Sequence, residues 1–133
     1  MINIVVDTSV WSRALKKGAS SAGPQALRLA AMLTQGRPVV LLGVIVQEVL
    51  SGIRDASDFE MLKSRLERFP VLDLDRSDYV AAARLMNLCM SKGLRISAVD
   101  ALIASACIEH DCALLTCDDD FARIADHCPL QLA

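Results

Sequence analysis

Aromatic side chains are scarce in this sequence: one Trp, one Tyr and three Phe make up 4% of 133 residues. Modules that grip nucleic acid by stacking bases on aromatic platforms need more than this, so RRM- or OB-type recognition is excluded. No apolar run approaches the roughly 18 uncharged residues of a spanning helix. The opening stretch, Met1 to Val6 and then Asp7, lacks the basic flank and long apolar core of a secretory signal. Neither membrane insertion nor secretion is expected. Net charge is also small, a formal −2, and exerts no global pull on a polyanion. The five cysteines (Cys89, Cys107, Cys112, Cys117, Cys128) are an odd number with no CxxC pair, and His110 and His127 form no HxxxH. That speaks against a disulfide framework or a zinc site and for a reducing compartment, the cytoplasm. Absent too are G-x-S-x-G, the G-x-x-x-x-G-K-[ST] phosphate loop, and G-x-G-x-x-G after the first strand.

What is present is enough for a packed core: 53% hydrophobic and 23% charged residues, in a length that suits one domain spanning residues 1–133. Ile2 to Val6 reads as a buried, β-branched strand ended by Asp7-Thr8-Ser9. Helical spacing from Val10 to Lys17 follows, stopped by Gly18, then a loop to Pro24 and a helix from Gln25 to Thr34. Val39 to Leu42 is a second strand, leading to an apolar helix from Val44 to Ser51. Ser57 and Glu60 form a capping box for the next helix, which ends before Pro70. Val71 to Leu74 reads as a third strand. A long helix, capped by Asp75 or Ser77, runs to about Lys92, and Ser97 starts another, Ala98 to Glu109. The strand Ala113 to Thr116, a helix near Phe121 to Ala125 and a short apolar piece after Pro129 complete the chain. Strands alternating with helices predict an α/β sandwich with a mainly parallel central sheet, whose site lies beyond the carboxyl ends of the strands.

Four acids stand in apolar sequence. Asp7 and Asp118 each end a strand. Glu48 has Val44 and Ile45 at i−4 and i−3. Asp100 has Ile96, Ile103 and Ala104 on its side of a helix. Carboxylates in such surroundings cost several kcal/mol unless positive charge is supplied. Each of three also has a local explanation: Asp7 as a helix N-cap, Asp100 as the fourth position of a Ser97 capping box, Asp118 as the start of the helix at Phe121, with Thr116 and Asp119 as a box. Glu48 has none, because it falls mid-helix with no basic residue at i±3 or i±4. Trp11 and Phe121 read as core. Arg13, Lys16 and Lys17 read as a solvated helix end, and Arg54, Lys63, Arg65 and Arg68 as a polar helix face. With no nucleophile constellation left, the chemistry is acid-only, and clustered carboxylates suit Mg²⁺ or Mn²⁺.

The order strand-Asp7-Thr8-Ser9, Glu48 in V-I-V-Q-E-V-L-S-G, Asp100 in I-S-A-V-D-A-L-I-A and L-L-T-C-D-D-D-F ending at Phe121 resembles the PIN domains, specifically the VapC-type ribonuclease toxins. The likeness runs over essentially the whole chain. It implies a three-layer α/β/α sandwich and an endoribonuclease that needs Mg²⁺ or Mn²⁺. Asp7, Glu48, Asp100 and Asp118 would be the catalytic acids and metal ligands, with Ser9 and Thr116 orienting them and Asp120 assisting. It further implies a homodimer held in check by a cognate VapB-type antitoxin, with Trp11 and the loop near Pro24 as footing for the antitoxin's arm. Setting the four acids aside turns the remaining charge mildly positive, as an RNA-binding surface requires. Two other classes begin similarly. A HAD-type phosphatase needs D-x-D-x-[TV], and Ser9 stands where its second Asp would be; a receiver-like phospho-acceptor domain would have no use for Glu48 or Asp100.

Overall fold

The computed structural model describes residues 1–15 and 23–133. At its centre four short strands lie parallel in the order β2-β1-β3-β4: β1 (Asn3–Val6), β2 (Val39–Val40), β3 (Cys112–Leu115) and β4 (Gln131–Leu132). The two inner strands are buried, as expected for a sheet covered on both faces by crossover helices. Seven helices are found among the described residues: α1 (Thr8–Ala14), α2 (Gly23–Thr34), α3 (Gly43–Leu50), α4 (Ala56–Leu66), α5 (Arg76–Ser91), α6 (Ala98–Glu109) and α7 (Asp120–Ala125). They complete the α/β/α sandwich. Ile4, Val5, Val6, Leu114 and Leu115 of the sheet join Leu42, Ile45, Ile103, Phe121 and Ile124 in the core. No helix among the described residues is long and apolar enough to cross a membrane.

Three local expectations need correction. Val71 to Leu74 does not form a strand; a single parallel bridge joins Leu41 to Val71. Val71 is half exposed at the sheet's edge, beyond the end of β2 at Val40, where Leu41 is the one residue it bridges. Helix α4 is capped by Asp55, whose side chain accepts from the Asp58 amide, so the Ser57 box does not start it. Helix α2 begins at Gly23, two residues before the expected start, because Gly23 takes a positive φ of 81° and Pro24 is tolerated in a first turn. At α5 and α6 the starts fall where the capping residues put them, whereas no side-chain cap opens α1, α3 or α7. Asp75 and Asp78 exchange both bonds of a capping box at α5, and Ser97 accepts the Asp100 amide at α6. Lys16, Lys17, the stop at Gly18 and most of the loop before Pro24 lie outside the described residues.

Candidate metal centre

The register of the two central strands builds the site. Val6 pairs with Leu115, so the next residues, Asp7 and Thr116, emerge side by side past the carboxyl ends of β1 and β3. Asp7 is buried and occupies the N-cap position of α1, but its side chain makes no capping bond. Instead Oδ2 accepts from the Ser9 hydroxyl at 2.8 Å and the Thr116 hydroxyl at 2.9 Å. Both hydroxyls are tied back in turn. Ser9 Oγ accepts the Cys117 amide at 3.1 Å, and Thr116 Oγ1 accepts the Asp118 amide at 3.0 Å. The capping explanation for Asp7 therefore fails, and a buried carboxylate with one oxygen fixed by two hydroxyls takes its place.

Asp118 turns the chain into α7: its Oδ1 accepts the Asp120 amide at 2.9 Å, leaving its second oxygen without a hydrogen bond among the described residues. Asp119, at the N-cap position, makes no side-chain cap. Asp100 sits in the first turn of α6, where Ser97 caps the helix, so the capping expectation and the site coincide in this segment. One carboxylate oxygen each from Asp100, Asp118 and Asp120 lie within 4.8 Å of one another. Burial, then the charges of Asp118, Asp7 and Asp120, drive the Asp100 carboxyl up from 3.8 to about 6.

Of the four acids singled out in the sequence, Asp100 and Asp118 are thus brought together and Asp7 lies close enough to repel Asp100. Glu48 stands apart from the three-carboxylate group. It is exposed rather than embedded, and it is held by Thr8, whose hydroxyl donates to Oε1 at 3.0 Å. Its apolar neighbours in the sequence, Ile45 and Val49, are buried in the core while Glu48 itself is exposed. Asp120, which the resemblance offered as an assisting acid, is a full member of the group. One feature was not singled out: Arg123, one turn later in α7, pairs with Asp120. The i,i+3 spacing of Asp120 and Arg123 at a helix start was the signal for it.

The donor set is made of carboxylate oxygens alone, hard ligands that match a hard divalent cation. No Cys or His joins it, and among the described residues it is the one group of three or more such side chains that could hold an ion. The cysteines are free, with Cys89, Cys107 and Cys112 buried, and burial pushes these three thiols upward, away from the thiolate that zinc needs. Trp11 and Phe121 are core, as expected, with Trp11 against Phe69 at a ring separation of 5.2 Å. Lys63 pairs with Glu60 and Glu67 on the exposed face of α4.

Comparison with known proteins agrees with this architecture. Among solved structures the chain is similar to VapBC2 from Rickettsia felis bound to a promoter DNA fragment, at 20% identity, covering 99% of this chain and 98% of that one with a TM-score of 0.79. It is similar to DNA-bound VapBC from Salmonella typhimurium at 17% identity, covering 100% and 98%, TM-score 0.78. It also resembles VapC20 of Mycobacterium tuberculosis, a sarcin-ricin loop cleaving toxin, at 15% identity, covering 90% and 93%, TM-score 0.66. At these identities the likeness is one of fold. No curated protein matches the sequence. The family model of the PIN domain, however, matches residues 4–127, nearly the whole chain, and the chain belongs to the PIN domain family.

Proposed function

We propose that this chain is an endoribonuclease dependent on Mg²⁺ or Mn²⁺, the VapC-type toxin of a toxin–antitoxin pair. The observation that carries the reading is the Asp100 carboxyl, crowded by Asp118, Asp7 and Asp120 at the carboxyl edge of the sheet with no cation paired to it among the described residues. A divalent ion relieves such crowding. Asp7, Asp100 and Asp118 would hold it, with Glu48 reaching in from α3 and Asp120 from α7. Bound there, the cation supplies an activated water and positive charge for the phosphoryl oxygens.

The chain's own residues prepare that pocket. Ser9 and Thr116 fix one oxygen of Asp7 and leave the other for a ligand. Thr8 does the same for Glu48, and the Asp120 amide for Asp118. Carboxylates oriented in this way lose little freedom on binding, which raises affinity. RNA is the substrate favoured by family membership and by the sarcin-ricin loop cleaving toxin among the structural neighbours. Water would displace the 3′ oxygen and leave a 5′ phosphate, the 2′ hydroxyl taking no part. Ser9 is engaged with Asp7 in the position where a HAD-type phosphatase needs a carboxylate, which disfavours that chemistry.

The VapBC complexes among the neighbours support a cognate VapB-type antitoxin as partner; a homodimeric toxin and a cytoplasmic setting are part of the same proposal. A groove of about 310 Å³ between α1 and α2, lined by Trp11, Leu15, Ala26, Leu27, Ala30 and Leu33, offers apolar footing for an antitoxin arm. Leu27, 68% exposed, is the most accessible of its large side chains.

The test is cleavage of RNA by the purified chain with Mg²⁺ or Mn²⁺, against chelator. Asp7→Ala and Asp100→Ala should each abolish it. Cleavage unchanged in both variants, or undiminished by chelator, overturns the reading.

A further inference from the structure

Among the described residues, Asp7, Glu48, Asp100 and Asp118 have no cationic partner, whereas Asp120 has one: the Arg123 guanidinium rests on its Oδ1. The other side-chain ion pairs among the described residues lie elsewhere, Lys63 with Glu60 and Glu67, and His110 hydrogen-bonds Asp78 away from the group. Asp120, the first residue of α7, is open to solvent; its side chain is 53% exposed and that of Arg123 61%. One of the three acids is therefore already half spoken for by a cation of the chain's own.

An exposed pair of this kind is weak, so exchanging either partner is easy. A guanidinium presents a planar fork that fits a phosphate as well as a carboxylate. A phosphodiester arriving at the carboxylate group would meet Arg123 on its open side, and the acid released by that exchange lies within reach of the oxygens of Asp100 and Asp118. We propose that Arg123 is a positioning residue that reserves Asp120 while no nucleic acid is bound and yields it when a backbone phosphate takes the guanidinium, so that phosphate and divalent cation each strengthen the other's binding. The proposal rests on the metal-centre reading above. The coupling is reciprocal by thermodynamic necessity.

The experiment is calorimetric titration of Mn²⁺ into the full chain, as wild type, Arg123→Gln and Arg123→Lys, with and without a short single-stranded DNA as the phosphate backbone. Without DNA, Arg123→Gln should bind Mn²⁺ about 1.5- to fivefold tighter than wild type, the range an exposed ion pair spans, and Arg123→Lys should fall between them. DNA should raise the Mn²⁺ affinity of wild type more than that of Arg123→Gln. Equal or weaker Mn²⁺ binding by Arg123→Gln, or an equal gain from DNA in both, overturns the proposal. Asp100→Asn and Asp118→Asn tell the two readings apart. If they leave Mn²⁺ binding intact, the metal centre itself is wrong; if they remove it while Arg123→Gln changes nothing, only the reservation of Asp120 fails.

Discussion

Thr116 and Asp7, separated by 109 positions in the chain, are joined by a 2.9 Å hydrogen bond from the threonine hydroxyl to Asp7 Oδ2, and the same hydroxyl oxygen accepts the Asp118 amide. One side chain thus sets the orientation of a buried carboxylate and the path of the loop carrying two more. Thr116→Ala should lower Mn²⁺ affinity or RNA cleavage about 10- to 100-fold, the range for residues that orient metal ligands. Thr116→Ser keeps the hydroxyl and should retain most of both. Titrating cleavage against Mn²⁺ distinguishes them, and equal behaviour of the two variants would show that the hydroxyl is not the cause.

The Asp100 carboxyl gives the metal-free protein a defined pH dependence. Its pKa is raised in the fold, from 3.8 to about 6. Between those values the folded chain holds a proton that the unfolded chain has released, so this group's contribution to stability falls as pH rises through the window. Above about 6 the full penalty remains; below 3.8 it is gone. Asp100→Asn should therefore raise the melting temperature at pH 7 in chelator and flatten its slope between pH 4 and 6, with little difference near pH 3.5. A wild type whose stability relative to Asp100→Asn does not fall across that window would contradict the crowding described above.

Divalent cations should relieve the same penalty. At a hundredfold excess over its Kd, Mn²⁺ would stabilise the folded state by about 2.7 kcal/mol, which for a chain of this size is a rise of roughly 10 °C in Tm. The increment should vanish in Asp100→Asn/Asp118→Asn. Differential scanning fluorimetry with Mn²⁺ and with chelator reads it directly, and an equal rise in the double variant would place the ion elsewhere.

Helix α6 carries Asp100 at one end and meets His110 at the other, where Nε2 lies 2.9 Å from Asp78 Oδ1. The Asp78 side chain is only 8% exposed, and its other oxygen closes the α5 capping box by accepting the Asp75 amide. His110→Ala strands a nearly buried carboxylate oxygen and should cost about 1–3 kcal/mol in urea unfolding. Mn²⁺ affinity should not change, because the acids gather at the far end of the helix. A variant of wild-type stability would mean that water replaces the imidazole at no cost.

The strands and helices were readable wherever a local signal set them: a β-branched run for β1, a short apolar run ending at Leu115 for β3, and Asp75 and Ser97 as caps for α5 and α6. Val71 to Leu74 misled because strand pairing depends on a neighbour, and the edge beside Leu41 supplies one bridge only. At the site, Asp7, Asp100 and Asp118 were recognisable as acids in apolar sequence. Glu48 was read from the same signal, yet its apolar neighbours face the core while it faces water. What no spacing could disclose is the set of links made across the chain, Thr8 to Glu48 and Thr116 to Asp7, because those depend on which strands lie side by side.

Phe121 tests whether packing holds the chemistry in place. It follows Asp120 directly, is 1% exposed, and with Ile124 ties α7 into the core, so the loop from Thr116 to Asp120 is stretched between β3 and a buried ring. Phe121→Ala would open a cavity at a cost of about 3–5 kcal/mol, and the retreat of α7 would move Asp118 and Asp120 together, since the Asp120 amide hangs on Asp118 Oδ1. Phe121→Leu keeps most of the volume and should cost closer to 1 kcal/mol. If the ring acts through the acids, cleavage measured at a temperature where both variants remain folded should fall more steeply in Phe121→Ala than in Phe121→Leu, and added Mn²⁺ should restore part of it by drawing the carboxylates back. Loss of stability with cleavage per folded molecule unchanged in both would show that the loop holds its shape without the anchor.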